Sequence, residues 1–235
     1  MTAQQSLHVL CSIALQKVVE TVAPSFERAH GQPLALDFGT SVKVTERLRA
    51  GHCADLLLLT ATLIDTLTEE GKLVAGSRAD LAQSRVGLAV RADAPLLDIS
   101  TAERFKQALL EARAVAYSHP SSGGASGVHL AKVMARLGIA EAIDARAKYG
   151  YGTPVAEFLV RGEADIAIQQ VSELRLVDGI RIVPLPDELQ SVTVFSAGIV
   201  TASAQQNAAR TLIALLTGAQ AAKAIAASGM EPPAR

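Results

Sequence analysis

Asp55-Leu56-Leu57-Leu58-Leu59, reached through Arg49-Ala50-Gly51-His52-Cys53-Ala54, is the stretch that decides the fold. Four leucines in succession cannot line one face of a half-buried strand. They fit a short strand covered on both faces, as in a parallel sheet flanked by helices. The same events recur at Arg161-Gly162-Glu163-Ala164-Asp165-Ile166-Ala167: a helix ends, and an Ala-Asp pair opens an apolar strand. Two such passages predict two similar lobes.

Working outward, strand-like runs alternate with helical patterns along the whole chain, which predicts βαβ units. Leu7 to Leu10 reads as a strand, followed from Ser12 by a helix with Ile13, Val18, Val19 and Val22 on its apolar face. Pro33 to Phe38 is a second strand, and Ser41 to Ala50 a helix. Ser84 to Val90 is extended, Thr101 to Glu111 helical, and Ala114 to Tyr117 opens a second α/β series. Gly127 to Leu137 is a periodic helix closed by Gly138, and Pro154 to Arg161 a shorter one. Ala164 to Ile168 is again a buried strand, Val192 to Val200 is extended, and Ala208 to Ala227 reads as one amphipathic helix. Ser84 to Val90 and Val192 to Val200 serve as two crossings between the lobes. The expected architecture is an α/β, two-lobed fold with lobe I at 1–86 plus 197–235, lobe II at 87–196, and an interlobe cleft, a preferred place for a ligand.

Composition narrows the partner. The chain has 235 residues, enough for two lobes of ordinary size. Lys plus Arg number 22 against 23 for Asp plus Glu, so no basic excess points to nucleic acid. Aromatic residues are 3% with no Trp, too few for a base-stacking platform. No stretch approaches the ~20 apolar residues of a membrane span. Leu7 to Leu15 is apolar, but no Lys or Arg precedes Lys17, so it does not read as a signal peptide. The expected location is periplasmic if a leader has been removed and cytoplasmic otherwise. Cys11 and Cys53 have no neighbours at ligand spacing and read as two small buried thiols, so no metal is expected.

Three strand-to-helix junctions carry small hydroxyl residues: Cys11-Ser12, Gly39-Thr40-Ser41 and Ser121-Ser122-Gly123-Gly124-Ala125-Ser126-Gly127. A helix N-terminus presents unpaired N–H groups and about half a positive charge, so it can hold an anion without a cationic side chain. Ser and Thr there are also ordinary caps. Three Ser and three Gly in the seven residues of the last junction exceed what a cap needs. That run lacks the Lys of a P-loop and the spacing of a dinucleotide fingerprint. Gln169 and Gln170 end a buried strand where α/β sheets bind ligands, and can offer amide donors to a carboxylate. His119, beside the Gly-Ser run, is the candidate catalytic proton shuttle; a cleft serine or Glu173 is the alternative base. Lys43 is the cation nearest the second junction, with Arg47 one turn on.

The strand followed by Ser12, Phe38-Gly39-Thr40-Ser41, Gly51 to Leu57, Gly138, Gly162-Glu163-Ala164-Asp165 and the closing Gly229-Met230-Glu231-Pro232-Pro233 together resemble the molybdate-binding-protein-like branch of class II periplasmic binding proteins. The resemblance spans almost the whole chain. It implies oxyanion contacts on Ser12, on Thr40 or Ser41, on Ser122 to Ser126, and on the Thr153-Pro154-Val155 turn, with Val155 as the contact. Molybdate binders place a Tyr after the strand that here ends in Gln169-Gln170, which moves the expected ligand toward a small carboxylate. It also implies an ABC-type permease as partner if the protein serves uptake. No cofactor is expected. Two functions follow: a solute-binding protein for a small carboxylate or oxyanion, or a cofactor-independent isomerase of a small unsaturated tricarboxylic acid, since aconitate isomerase is similar to these proteins in fold.

Overall fold

The computed structural model describes residues 5–233. The chain divides into two compact units, one running up to Ser84 and resuming at Thr193, the other Arg85–Val192. It passes between them inside two long strands, β4 (Ala79–Arg91) and β9 (Val192–Ile199).

In the first unit β1 (Leu7–Ser12) lies between β2 (Leu34–Gly39) and β3 (Leu56–Thr60), parallel to both, and β9 pairs antiparallel with β3. Leu56 to Leu59 are fully buried, two side chains on each face. Leu56 and Leu58 join the cluster under α1 (Gln16–His30), α9 (Gln206–Leu216) and α10 (Ala219–Ala227). Leu57 and Leu59 join the cluster under α2 (Ser41–Arg49) and α3 (Ala61–Glu69).

In the second unit β5 (Val115–Ser118) lies between β6 (Ala147–Gly150) and β7 (Ile166–Gln170), parallel to both. The second half of β4 runs antiparallel to β7 on one side and to β8 (Ile180–Pro184) on the other. α4 (Ala102–Glu111), α5 (Ala125–Leu137) and α6 (Ala140–Asp144) cover one face. α7 (Glu157–Val160) and α8 (Val171–Leu174) cover the other.

The repeated Ala-Asp pair has a structural reason. Asp55 N donates to His8 O, and its carboxylate accepts from His8 N at 2.9 Å, clasping the start of β1. Asp165 does the same to the strand beside β7: its N donates to Ala114 O, and its carboxylate accepts from Arg113 N at 2.7 Å. An aspartate placed just before a strand thus bonds the backbone entering its parallel neighbour, in both units.

Several expected boundaries differ. The helix expected over Ala208 to Ala227 is two, broken at Thr217-Gly218, where the Thr217 hydroxyl bonds back to Ile213 O. The helix after Ser12 begins only at Gln16, because a 3-10 turn over Ile13–Leu15 comes first. Pro154 to Arg161 yields only the four residues of α7, and Ser84 to Val90 is part of the 13-residue β4. Cys53 is exposed rather than buried, while Cys11 is buried as expected, and both are free thiols. Among the described residues no helix is long and apolar enough to cross a membrane.

Asp55 is buried and also accepts from Ser203 Oγ and Gln205 Nε2. Truncating it strands several donors, so Asp55→Ala is expected to cost about 3 kcal/mol in chemical denaturation. Arg49→Ala, which removes an exposed pairing with Glu70, leaves the unfolding midpoint unchanged.

Candidate functional site

The second unit gathers most of the candidate residues at the C-terminal edge of its parallel strands. Ser118 ends β5 beside Gly150 of β6, and Tyr117 pairs with Ile168, which sets Gln169 at the same edge. The chain then turns through a 3-10 turn (Pro120–Ser122), where Ser122 Oγ donates to His119 O at 2.7 Å. Gly123 follows with φ 69°, a left-handed value that suits glycine. α5 opens at Ala125, and its internal ladder begins with Val128 N donating to Gly124 O. The N–H groups of Ala125, Ser126 and Gly127 therefore lie in the first turn, outside that ladder. Ser118, Ser122 and Ser126 are buried around this turn. A Cβ on Gly127 would come 2.2 Å from Ser118 O, so only glycine lets the helix start this close to the strand.

Gln169 braces the edge from below. Its Oε1 accepts from Val155 N at 2.9 Å, and its Nε2 donates to Thr153 O at 3.2 Å and to Ser118 Oγ at 3.3 Å. Both residues were expected as ligand contacts; here the Val155 N–H donates to Gln169, and the Gln169 amide bonds within the protein. Gln170 is buried as well, on the other face of the strand. One turn on, Glu173 is 8% exposed and has the Gln169 amide as neighbour. Burial pushes its carboxyl up to about 8; the Gln169 amide, which favours the ionised form, opposes this only in part.

His119 stands at the mouth of the loop. Its Nδ1 accepts from Ser121 N at 3.2 Å and lies 2.6 Å from Ser121 Oγ. With Nδ1 an acceptor, the neutral ring carries its proton on Nε2. The ring stacks on Tyr151, with centroids 5.3 Å apart, and meets Tyr149 edge-on at 4.6 Å. Tyr149 meets Tyr117, whose hydroxyl bonds Asp144. Burial and then the Asp144 bond raise the Tyr117 phenol.

The first unit holds the other candidates. Ser12 ends β1 opposite Gly39 of β2 and is buried, with a 3-10 turn rather than an α-helix directly after it. Thr40 caps α2, its Oγ1 accepting from Lys43 N at 3.3 Å, and Ser41 is buried as that helix's first residue. Lys43 is half-buried on the first turn of α2. Arg47 is paired with Asp37 at 2.6 Å.

The family model of bacterial extracellular solute-binding proteins matches residues 7–231. The chain belongs to this family. An aconitate isomerase from a Pseudomonas species is 38% identical over 234 residues, covering 97% of this chain and 88% of that protein. The periplasmic molybdate-binding protein of Azotobacter vinelandii superposes with a TM-score of 0.81 at 20% identity, over 97% of this chain and all of that one. The sulfate-binding protein of Mycobacterium tuberculosis H37Rv gives 0.76 at 19% identity, over 97% and 87%. The fold is accordingly the α/β, two-lobed periplasmic-binding-protein fold, crossed by two strands.

The tyrosines escaped the sequence reading. Tyr149 and Tyr151 pack on His119 and Tyr117 packs on Tyr149, and Tyr149-Gly150-Tyr151-Gly152 was the available signal, an aromatic-glycine alternation entering a loop. Two outcomes follow from this geometry. Gly127→Ala should lose about 2–3 kcal/mol in denaturant titrations, because its Cβ has to displace backbone. Glu173, ordinarily 4.5 and here raised, contributes stability that is full below pH 4.5 and is lost as pH rises toward 8. Glu173→Gln should therefore raise Tm by about 5 °C at pH 8 and by nothing at pH 4.5, read by thermal scans at both.

Proposed function

We propose that this protein binds a small polycarboxylate at the Ser118–Gly127 turn of its second unit. The observation that carries the reading is that turn itself, where first-turn N–H groups of a 13-residue helix meet three buried serines. N–H and hydroxyl donors suit a carboxylate or an oxyanion alike. The Pseudomonas relative's name, aconitate isomerase, favours the carboxylate. Ser12, Thr40 and Ser41 in the first unit offer the same chemistry at the ends of β1 and β2. In this reading His119 donates from Nε2 and the exposed Tyr151 presents an aromatic face. The protein works in the periplasm, and delivery of its ligand to an ABC-type permease is the matching role.

Thermal shift with trans-aconitate, cis-aconitate, propane-1,2,3-tricarboxylate, molybdate and sulfate tests this. At a hundredfold excess over Kd a ligand adds ~2.7 kcal/mol, several degrees of Tm. A tricarboxylate should shift the midpoint, and Ser122→Ala should shrink that shift; a response to molybdate or sulfate alone overturns the proposal.

A second reading, isomerisation, is favoured by the name of the same relative, aconitate isomerase. A base removes a proton from the methylene carbon of aconitate, the allylic charge spreads into the neighbouring carboxylate, and a proton returns to the former vinylic carbon. The double bond has moved and no atom is gained or lost. N–H donors at the turn would stabilise the developing charge. Proton NMR of trans-aconitate with the protein reads this directly: the cis isomer accumulates, or the second reading falls while binding stands.

A further inference from the structure

We propose that Glu173 makes polycarboxylate binding proton-dependent: the anion is held while this side chain carries its proton and is released as it ionises. The inference rests on the binding site proposed above and adds what regulates it.

The placement carries the argument. Glu173 is buried on α8 and meets the Gln169 amide. That amide also donates to Ser118 Oγ, and Ser118 backs Gly124 and Gly127 at the start of α5. One carboxamide therefore separates this carboxyl from the donors of the anion turn. Among the described residues no ion pair reaches Glu173. β7, on which α8 rests, has no titratable side chain. α8 also packs through Val171 and Leu174 toward Gly87 of β4 and Ile182 of β8. The charged groups on or next to those elements are Asp80, paired with Arg78, Arg85, which is exposed, Arg91, paired with Asp93, Arg175, exposed just past α8, Asp178, exposed before β8, and Arg181, which bonds Ala94 O. A buried carboxyl without a cation stays neutral, since ionising it there costs far more than in water.

The raised value of about 8 sets the window. Below it the carboxyl behind Gln169 is uncharged, and the N–H and hydroxyl donors face the anion without opposition. Above it a full negative charge lies one side chain away, and Coulomb repulsion across a partly buried path weakens a polyanion by about tenfold or more. By reciprocity, binding raises the proton affinity of Glu173, so ligand taken up near pH 8 brings a proton from solvent.

The test uses propane-1,2,3-tricarboxylate, which has no double bond to move and is fully ionised across the window. Calorimetric titrations from pH 7 to 9.5 should show affinity falling at least tenfold in the wild type. At pH 8, two buffers of different ionisation enthalpy should report net proton uptake. Glu173→Gln should bind, with a flat pH profile and no proton uptake. A Gln variant that follows the wild-type curve, or that fails to bind at pH 7 while melting cooperatively, overturns the inference. So does a flat wild-type profile, which leaves the binding site standing. Absence of tricarboxylate binding at every pH overturns the functional reading and this inference together.

Discussion

Both units depend on an aspartate that bonds the backbone of the neighbouring parallel strand. Parallel strands have no hairpin to set their register, so pairing must be fixed by contacts between segments far apart in sequence. Asp55 reaches back 47 residues to His8, and Asp165 reaches back 52 to Arg113. Each clasp acts at the entry of the two strands it joins and aligns their far ends, where Cys11 meets Leu58 in one unit and Tyr117 meets Ile168 in the other. The polar turns that could hold an anion are placed by contacts at the opposite edge.

The second unit adds a further fastening at the ligand edge. Gln169 holds Val155, Thr153 and Ser118 with one carboxamide. It takes a position at which a ligand-facing donor was expected, and turns that potential inward to stiffen the turn. A buried acid, Glu173, lies beside that carboxamide, so a fastened turn and a carboxyl whose ionisation burial opposes are neighbours.

The fold was legible because it rests on patterns that sequence carries directly. Leu56 to Leu59 could only be a doubly covered strand, and the paired Ala-Asp segments marked the repeat. The division of Ala208 to Ala227 was hidden because its apolar period continues through Thr217-Gly218, and one hydroxyl back-bond ends the first helix. At the site, the Ser-Gly run was visible as an excess of small residues. The bonding of His119 was not, because it depends on which ring nitrogen Ser121 occupies, a matter of backbone geometry two residues away. Val155 and Gln169 each read as ligand donors separately. Only their mutual bond, 14 residues apart in sequence, shows that they satisfy one another.

The clustering of the tyrosines gives the molecule an optical property. With no Trp in the chain, its near-ultraviolet absorption and emission come chiefly from Tyr117, Tyr149 and Tyr151, which form one chain of ring contacts through Tyr149 and His119. Tyr151 is 55% exposed and stacked on the imidazole, whereas Tyr117 is buried against a carboxylate. The intrinsic signal of the whole protein is therefore local to the ends of β5 and β6 and the turn after β6, and it reports events there without any label being introduced.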